Sequence, residues 1–431
     1  VCSALNKETG QKVAIKKMTP MAESKVDGVH ALREIRLMRW LGRHPNIITL
    51  KDLMVNLPND ELYIVMDLMD SDLHRIIQSS QKLEDAHFKH FMYQLLRGLR
   101  FAHSYGIIHR DLKPANLLVT KACDLVISDF GLARLMAGDD GPLTEHVVTR
   151  WYRAPELMLS ADGHYTQSVD VWASGCIFAE LLGRTPLFPG ADFKQTIAMQ
   201  MEVLGTRPDD ELEYIRSEEA LKFLRALPRY PKKPWAAQFP DATPKAIDLL
   251  ERMLQFHPEK RISVEDALAH PYFDSVRSQY ADPDPVLPVG PGGFEFAFET
   301  DDTLDATAFK RLIVEEAISF RAERAAARAK RASIVAGEGG ADKGAVLDTH
   351  ESARGSTPAA AAGPPARASM APPAPPPSSS RNPACVPLAP TGIGTFIPAS
   401  LHPAAARHVS VPPLYPPPPS AHVVHCLLIS I

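Results

Sequence analysis

The sequence predicts an α+β fold of two lobes, a small β-rich one followed by a large helical one, and then a tail of different composition. Three observations carry that reading. The β-branched, apolar runs Lys12–Lys17 and Leu62–Met66 have strand character, Thr9-Gly10 is a hairpin turn pair, and the helix-period stretch Ala31–Leu37 lies between the runs. From Asp85 to Tyr105 apolar residues recur at helical spacing (Phe88, Phe91, Leu95, Leu99, Ala102), and an apolar helix is expected again around Asp170–Cys176. After about Ser333 the composition turns to Ala, Pro, Gly and Ser, with Pro-rich runs at 372–377 and 416–419. Such a stretch buries too little apolar area to offset chain entropy and is expected to be disordered, with the polyproline II character that SH3- or WW-type partners bind. The divisions follow: 1–69 for the small lobe and hinge, 70–276 for the large lobe, 277–320 for an extension, and 321–431 for a disordered Pro/Ala-rich tail. Phe320–Arg331 at the start of that tail reads as an Ala/Arg helix, either a basic face suited to nuclear entry or a plain solvated helix end.

Composition narrows the function classes. The net charge of -4 is spread over both signs, which favours neither nucleic acid nor a membrane surface as the main partner. Five cysteines are scattered without CxxC or His pairing, as expected of a reducing compartment and not of a disulfide framework or zinc site. No apolar run is long enough to span a bilayer and no basic segment precedes an apolar one at the N-terminus, so a soluble intracellular protein is expected. Cys426 stands too far from the C-terminus for a prenylation box.

The chemistry lies in three motifs: His109-Arg110-Asp111-Leu112-Lys113-Pro114-Ala115-Asn116, then Asp129-Phe130-Gly131, then Ala154-Pro155-Glu156. Moving a phosphoryl group from ATP needs a carboxylate aimed at the acceptor hydroxyl and oxygen ligands for magnesium against the phosphates. Asp111 suits the first task, and Asn116 with Asp129 the second. Lys16, in Lys12–Lys17, would reach the α- and β-phosphates if paired with a helix carboxylate, and Glu34 is the candidate. Ala14, Lys16, Met66 as gatekeeper, Asp67 and Met69 of the hinge, and Leu118 as floor form the candidate nucleotide site. The three motifs resemble those of a protein kinase catalytic lobe, and that resemblance implies a buried Glu156–Arg261 ion pair tying the end of the activation segment to the large lobe.

With those motifs in hand, the chain resembles the mitogen-activated protein kinases, of the extracellular-signal-regulated branch. The resemblance covers about residues 1–320 and rests on the lip Leu143–Arg153, the insert between Phe188-Pro189-Gly190 and Pro234-Trp235, and the extension carrying Phe294–Glu299 and Phe309–Glu316. A cyclin-dependent kinase would lack that extension.

The resemblance implies a bilobal protein kinase fold and a serine/threonine kinase that uses ATP and Mg2+ and prefers a proline after the acceptor residue. Proline has no backbone N–H to be left unpaired near the activation segment. It implies Asp111 as catalytic base, Lys113 supporting the transferred phosphate, and phosphorylation at Thr144, whose charge would draw in Arg33, Arg110 and Arg134. An acidic docking patch at Asp282 and Asp284, one residue tighter than the family's spacing, would sit beside a groove lined by Ile76, Leu83, Val119 and Cys123. The implied partners are an upstream MAP kinase kinase, substrates with Ser/Thr-Pro sites and basic docking motifs, and phosphatases; the implied location is cytoplasm and nucleus. A pseudokinase-like docking scaffold is the alternative, and such proteins usually break one of the positions held here by Lys16, Glu34, Asp111, Asn116 and Asp129.

Two departures from the family stand out. His146 occupies the place of the lip's phosphorylated tyrosine, so Arg150 and Arg153 lose the anion they would clamp. Activation would then rest on Thr144 alone, or a protonated His146 would repel those arginines at acid pH, or the ring only fills space. The sequence also begins where the family's glycine-rich loop would end, so a segment upstream is expected, and weak ATP binding without it.

Overall fold

The computed structural model describes residues 1–135, 149–159, 165–280, 282–287, 294 and 296–338, all within one compact unit. Thr144, His146 and the Pro-rich stretch after residue 338 lie outside the described residues.

The small lobe is an antiparallel sheet of order β1-β2-β4-β3, with β1 Cys2–Leu5, β2 Lys12–Met18, β3 Leu50–Asn56 and β4 Glu61–Asp67. The β1–β2 hairpin turns through Gly10 at φ +68, where a side chain would be strained. Between β2 and β3 runs helix α1, Lys25–Leu41. Ser24 caps it in a reciprocal box with Asp27: Ser24 Oγ accepts from Asp27 N at 3.2 Å, and Ser24 N donates to Asp27 Oδ2 at 3.0 Å. Short β5 (Ser71–Asp72) and α2 (Leu73–Gln78) lead to α3, Asp85–Ser104, the buried axis of the large lobe. Strands β6 (Ile107–Ile108), β7 (Leu117–Val119), β8 (Leu125–Ile127) and β9 (Arg134–Leu135) frame the catalytic loop. Helices α4 (Pro155–Leu159), α5 (Ser168–Gly183), α6 (Phe193–Leu204), α7 (Glu218–Ala226), α8 (Trp235–Gln238), α9 (Pro244–Met253) and α10 (Val264–Ala269) complete the lobe. Among the described residues no helix is long and apolar enough to cross a membrane.

Beyond the lobe, α11 (Ala297–Thr300) and α12 (Ala306–Glu338) return to the small lobe. The stripe Phe309, Ile313, Ala317 and Phe320 is buried against α1 and β3, and Trp40 of α1 stacks on Phe294 with centroids 4.4 Å apart. Ion pairs flank the stripe: Lys310 to Asp60 at 2.5 Å, Arg36 to Glu316 at 3.1 Å, and Arg39 to both Glu316 and Glu323.

The helix expected over Phe320–Arg331 is continuous with the extension, and this one helix crosses the division placed at 320 and runs through Glu338. Ala, Arg, Glu and Lys fill that part of the sequence, and these are good helix formers. Arg321 and Arg324 lie 3.5 Å from Asp52, and Arg328 lies 3.1 Å from Glu8, so these three arginines face carboxylates of the small lobe.

Gly28 sets how closely α1 and α12 approach. A Cβ at that position would stand 2.4 Å from Cβ and 2.6 Å from Cγ of Phe309, the stiff root of the side chain and not its tip. Alanine there gains about 1 kcal/mol in helix propensity, but overpacking of about 1–3 kcal/mol opposes it. Gly28→Ala is therefore expected to lower the thermal midpoint, which calorimetry checks; a raised midpoint would refute the fit.

Candidate active site

Lys16 occupies the middle of β2, paired in register with Ile64 of β4. Its Nζ donates to both oxygens of Glu34 on α1, at 2.7 and 2.8 Å, and stands 3.9 Å from Asp129 Oδ1. Burial works against the Lys16 ammonium, but the charges of Glu34 and Asp129 outweigh it and raise its pKa above the ordinary lysine value. Burial also pushes the Glu34 carboxyl up, against the pull of Lys16. With both carboxylate oxygens accepting from one ammonium, the ionised pair is the state the geometry favours. It joins the sheet to α1 in the arrangement that places a lysine over nucleotide phosphates.

The apolar walls lie beside it. Ala14 and Met66 are paired in register and buried, and Leu118 is half-buried between Asp72 and Val126. Asp67 N donates to Thr49 O at 3.3 Å, so Asp67 can meet a purine only through its carbonyl; its side chain pairs with Lys51 at 2.8 Å. Met69 packs half-buried against the core.

The catalytic loop is held from below by a residue the sequence reading took only as part of an apolar helix. Asp170, in the first turn of α5, accepts from His109 N at 2.8 Å and Arg110 N at 2.9 Å, and its Oδ2 meets His103 Nε2 at 2.8 Å. Burial would push its carboxyl up, but the hydrogen bonds and charges of His103 and His109 prevail and hold it below the ordinary aspartate value. Those bonds sustain Arg110 at φ +67, a left-handed backbone that costs a non-glycine residue about 1–3 kcal/mol. The sequence alone gives little sign of this, since an aspartate in the first turn of a helix is ordinary; it is the burial of Asp170 that requires partners.

Above this anchor, His109 Nε2 donates to Ser128 O at 3.0 Å while its Nδ1 accepts from Asp111 N at 3.3 Å. The ring meets Phe130 edge-on with centroids 4.9 Å apart. Asp129 also takes a left-handed backbone, φ +66, which turns its half-exposed carboxylate toward Lys16. Asp111 Oδ2 accepts from Lys113 Nζ at 2.7 Å and from Asn116 Nδ2 at 3.1 Å. Lys16, Glu34 and Asp129 thus form one group and Asp111, Lys113 and Asn116 another, and Ser128, next to Asp129, joins them by donating from its N and Oγ to Asn116 O, both at 2.9 Å.

The donor set suits a small hard cation. Asn116 commits its Nδ2 to Asp111 O (2.9 Å) and Oδ2 (3.1 Å), which leaves the amide oxygen as the group able to ligate, and Asp129 adds a carboxylate. Among the described residues no group of three or more His, Cys, Asp and Glu could hold a metal ion.

A family model described as a protein kinase domain matches residues 1–273. Mitogen-activated protein kinase 6 of Arabidopsis thaliana is 47% identical over 327 residues, covering 75% of this chain and 80% of that one. The chain belongs to the mitogen-activated protein kinase family. Two further similar proteins are the mitogen-activated protein kinase homolog NTF3 of Nicotiana tabacum, 51% identical over 275 residues (63% and 73% coverage), and mitogen-activated protein kinase 5 of rice, Oryza sativa subsp. indica, 47% identical over 323 residues (74% and 85%). This MAP kinase is therefore a serine/threonine protein kinase of a MAP kinase cascade, and protein kinases take ATP as phosphate donor. The docking-scaffold alternative has no observation behind it.

Thr144, on which Arg33, Arg110 and Arg134 are expected to converge once it is phosphorylated, lies outside the described residues. Arg33 Nε donates to Glu299 at 2.6 Å, Arg134 Nη1 lies 3.8 Å from the same carboxylate, and Arg110 donates to Tyr165 Oη at 2.5 Å. Two of the three arginines thus face one carboxylate of the C-terminal extension. In the docking set, Ile76, Val119 and Cys123 are buried and Leu83 is half-buried. Asp284 faces inward to Arg100 at 2.6 Å, His44 at 3.2 Å and Arg97 at 3.3 Å, which leaves Asp282 as the exposed carboxylate.

His44 makes that inward cluster sensitive to acid. Burial above all, with Asp284 pulling the other way and Arg97 and Arg100 adding to the effect, moves its pKa down to about 4 from 6.5. The folded protein refuses a proton that the unfolded chain accepts. Stability from this group is full above the unfolded pKa and falls as pH drops from 6.5 toward 4, by about 3 kcal/mol. Urea midpoints measured across that window should fall less steeply for His44→Gln than for the parent; parallel slopes would refute the assignment.

Proposed function

We propose that this MAP kinase is proline-directed, transferring the ATP γ-phosphate to Ser/Thr-Pro sites, and that phosphorylation of Thr144 by an upstream MAP kinase kinase raises its activity. The observation that carries the transfer is Asp111 held by Lys113 and Asn116, together with the Lys16–Glu34 pair beside Asp129. Asp111 would orient the acceptor hydroxyl and take its proton, and Lys113, already on Asp111 Oδ2, would steady the phosphate as it moves. Asn116 and Asp129 would hold Mg2+, which supplies charge neutralisation at the phosphates.

Burial first, then the charges of Arg150 and Arg110, lower the pKa of the half-buried Arg153 guanidinium despite the pull of Asp111. Basic docking motifs of substrates, activators and phosphatases would meet Asp282, and the protein would work in cytoplasm and nucleus.

The test is magnesium-dependent transfer of labelled phosphate from ATP to a Thr-Pro peptide, with a Thr-Ala peptide for comparison and Asp129→Asn as control. Transfer that needs both proline and Asp129 supports the reading; equal transfer to both peptides would sink proline direction.

A further inference from the structure

Arg33 is wholly buried, and a buried guanidinium costs several kcal/mol unless it is paired. Its sequence neighbour Glu34 is committed to Lys16. The charge that answers Arg33 comes from 266 residues away: Glu299 Oε1 accepts from Arg33 Nε at 2.6 Å. Arg33 Nη1 meanwhile donates to Gly131 O at 2.7 Å, within the Asp129-Phe130-Gly131 turn, and Arg134, just past that turn, points Nη1 at Glu299 Oε2 from 3.8 Å. One carboxylate therefore faces cations from α1 and from the segment that carries Asp129.

Its own backbone is firmly placed. Phe298, the residue before it, lies under the Arg36 guanidinium at 5.0 Å and against Phe309 at 6.1 Å, while Phe296 stacks on Trp40 at 6.0 Å. Glu299 is thus presented from a seated segment.

We infer that Glu299 is a positioning residue for phosphoryl transfer: its charge keeps Arg33 between α1 and the Gly131 carbonyl, and so keeps Glu34 on Lys16 and Asp129 facing the same cleft. In this account the extension supplies an internal anion where a lip phosphate was expected, and the unphosphorylated chain has a positioned α1. Lip phosphorylation then adds to an arrangement already held.

Glu299→Gln keeps the shape and removes the charge, and Glu299→Asp keeps the charge on a shorter stem. Steady-state kinetics of the unphosphorylated full chain should show kcat about tenfold lower for the Gln variant, with a smaller change in KM for ATP, and an intermediate loss for the Asp variant. Calorimetry run alongside reports the folded fraction, and kcat is referred to folded protein. A Gln variant with the parent's kcat would overturn the inference, as would equal losses in Gln and Asp, which would make charge irrelevant. The same assay on Thr144-phosphorylated protein separates this role from the lip reading it touches. A parent indifferent to Thr144 phosphorylation would defeat that reading, while the Gln deficit in the unphosphorylated chain would still support the positioning role.

Discussion

Arg261→Met is expected to lower the unfolding free energy by about 3–5 kcal/mol, because it strands a buried carboxylate. Arg261 and Glu156 have side chains 0% and 2% exposed, and the guanidinium grips the carboxylate with two nitrogens, Nη2 to Oε2 at 2.6 Å and Nη1 to Oε1. The remaining donor capacity goes to Gln255 O at 2.8 Å, Ser168 O at 3.1 Å and Phe256 O at 3.2 Å, and the group lies 5.0 Å from the Trp172 ring. Removing it therefore orphans carbonyls as well as Glu156. Urea denaturation gives the loss. The double variant with Glu156→Met should recover part of it, since two apolar side chains leave no uncompensated charge. A loss below about 1 kcal/mol would mean that the pair is no more than a surface contact. Since α4 follows directly on the activation segment, the variant should also lose activity faster on warming than the parent.

Asp111→Asn is expected to reduce kcat by about 10²- to 10⁴-fold, the usual contribution of a positioned general base. Asparagine preserves the volume and keeps an oxygen for Lys113 Nζ and Asn116 Nδ2, now 2.7 and 3.1 Å from Asp111 Oδ2, but cannot take a proton. Lys16 and Glu34 lie outside the change, so KM for ATP should hold within a few-fold. A variant losing affinity for ATP and turnover together would instead assign Asp111 to nucleotide binding.

Much of this centre could be read from the sequence because its parts are local. The loop 109–116 and the turn 129–131 each carry their chemistry within a few residues, and Lys16 with Glu34 needed only one strand and one helix to be inferred. What escaped depends on partners distant along the chain. Asp170 acts on backbone N–H groups of His109 and Arg110, which leave no mark on composition. Glu299 is one glutamate in an alternating stretch, and only folding brings it to Arg33. Asp284 is placed in a docking patch by the resemblance alone, and sequence does not show that α3 presents Arg97 and Arg100 to it. The Ala/Arg helix legible at Phe320–Arg331 is one piece with the extension, a continuity that its contacts with Asp52 and Glu8 of the small lobe help to hold and that composition does not show.

Helix α12 has one more consequence. A clamp on the outer face of α1 supplied by a separate subunit would be present only in proportion to that subunit's concentration, and would be lost on dilution. Here the clamp is part of the same chain, so its local concentration is on the order of millimolar whatever the abundance of the protein. Control through that face by a competing protein would require an affinity sufficient to overcome an intramolecular rival.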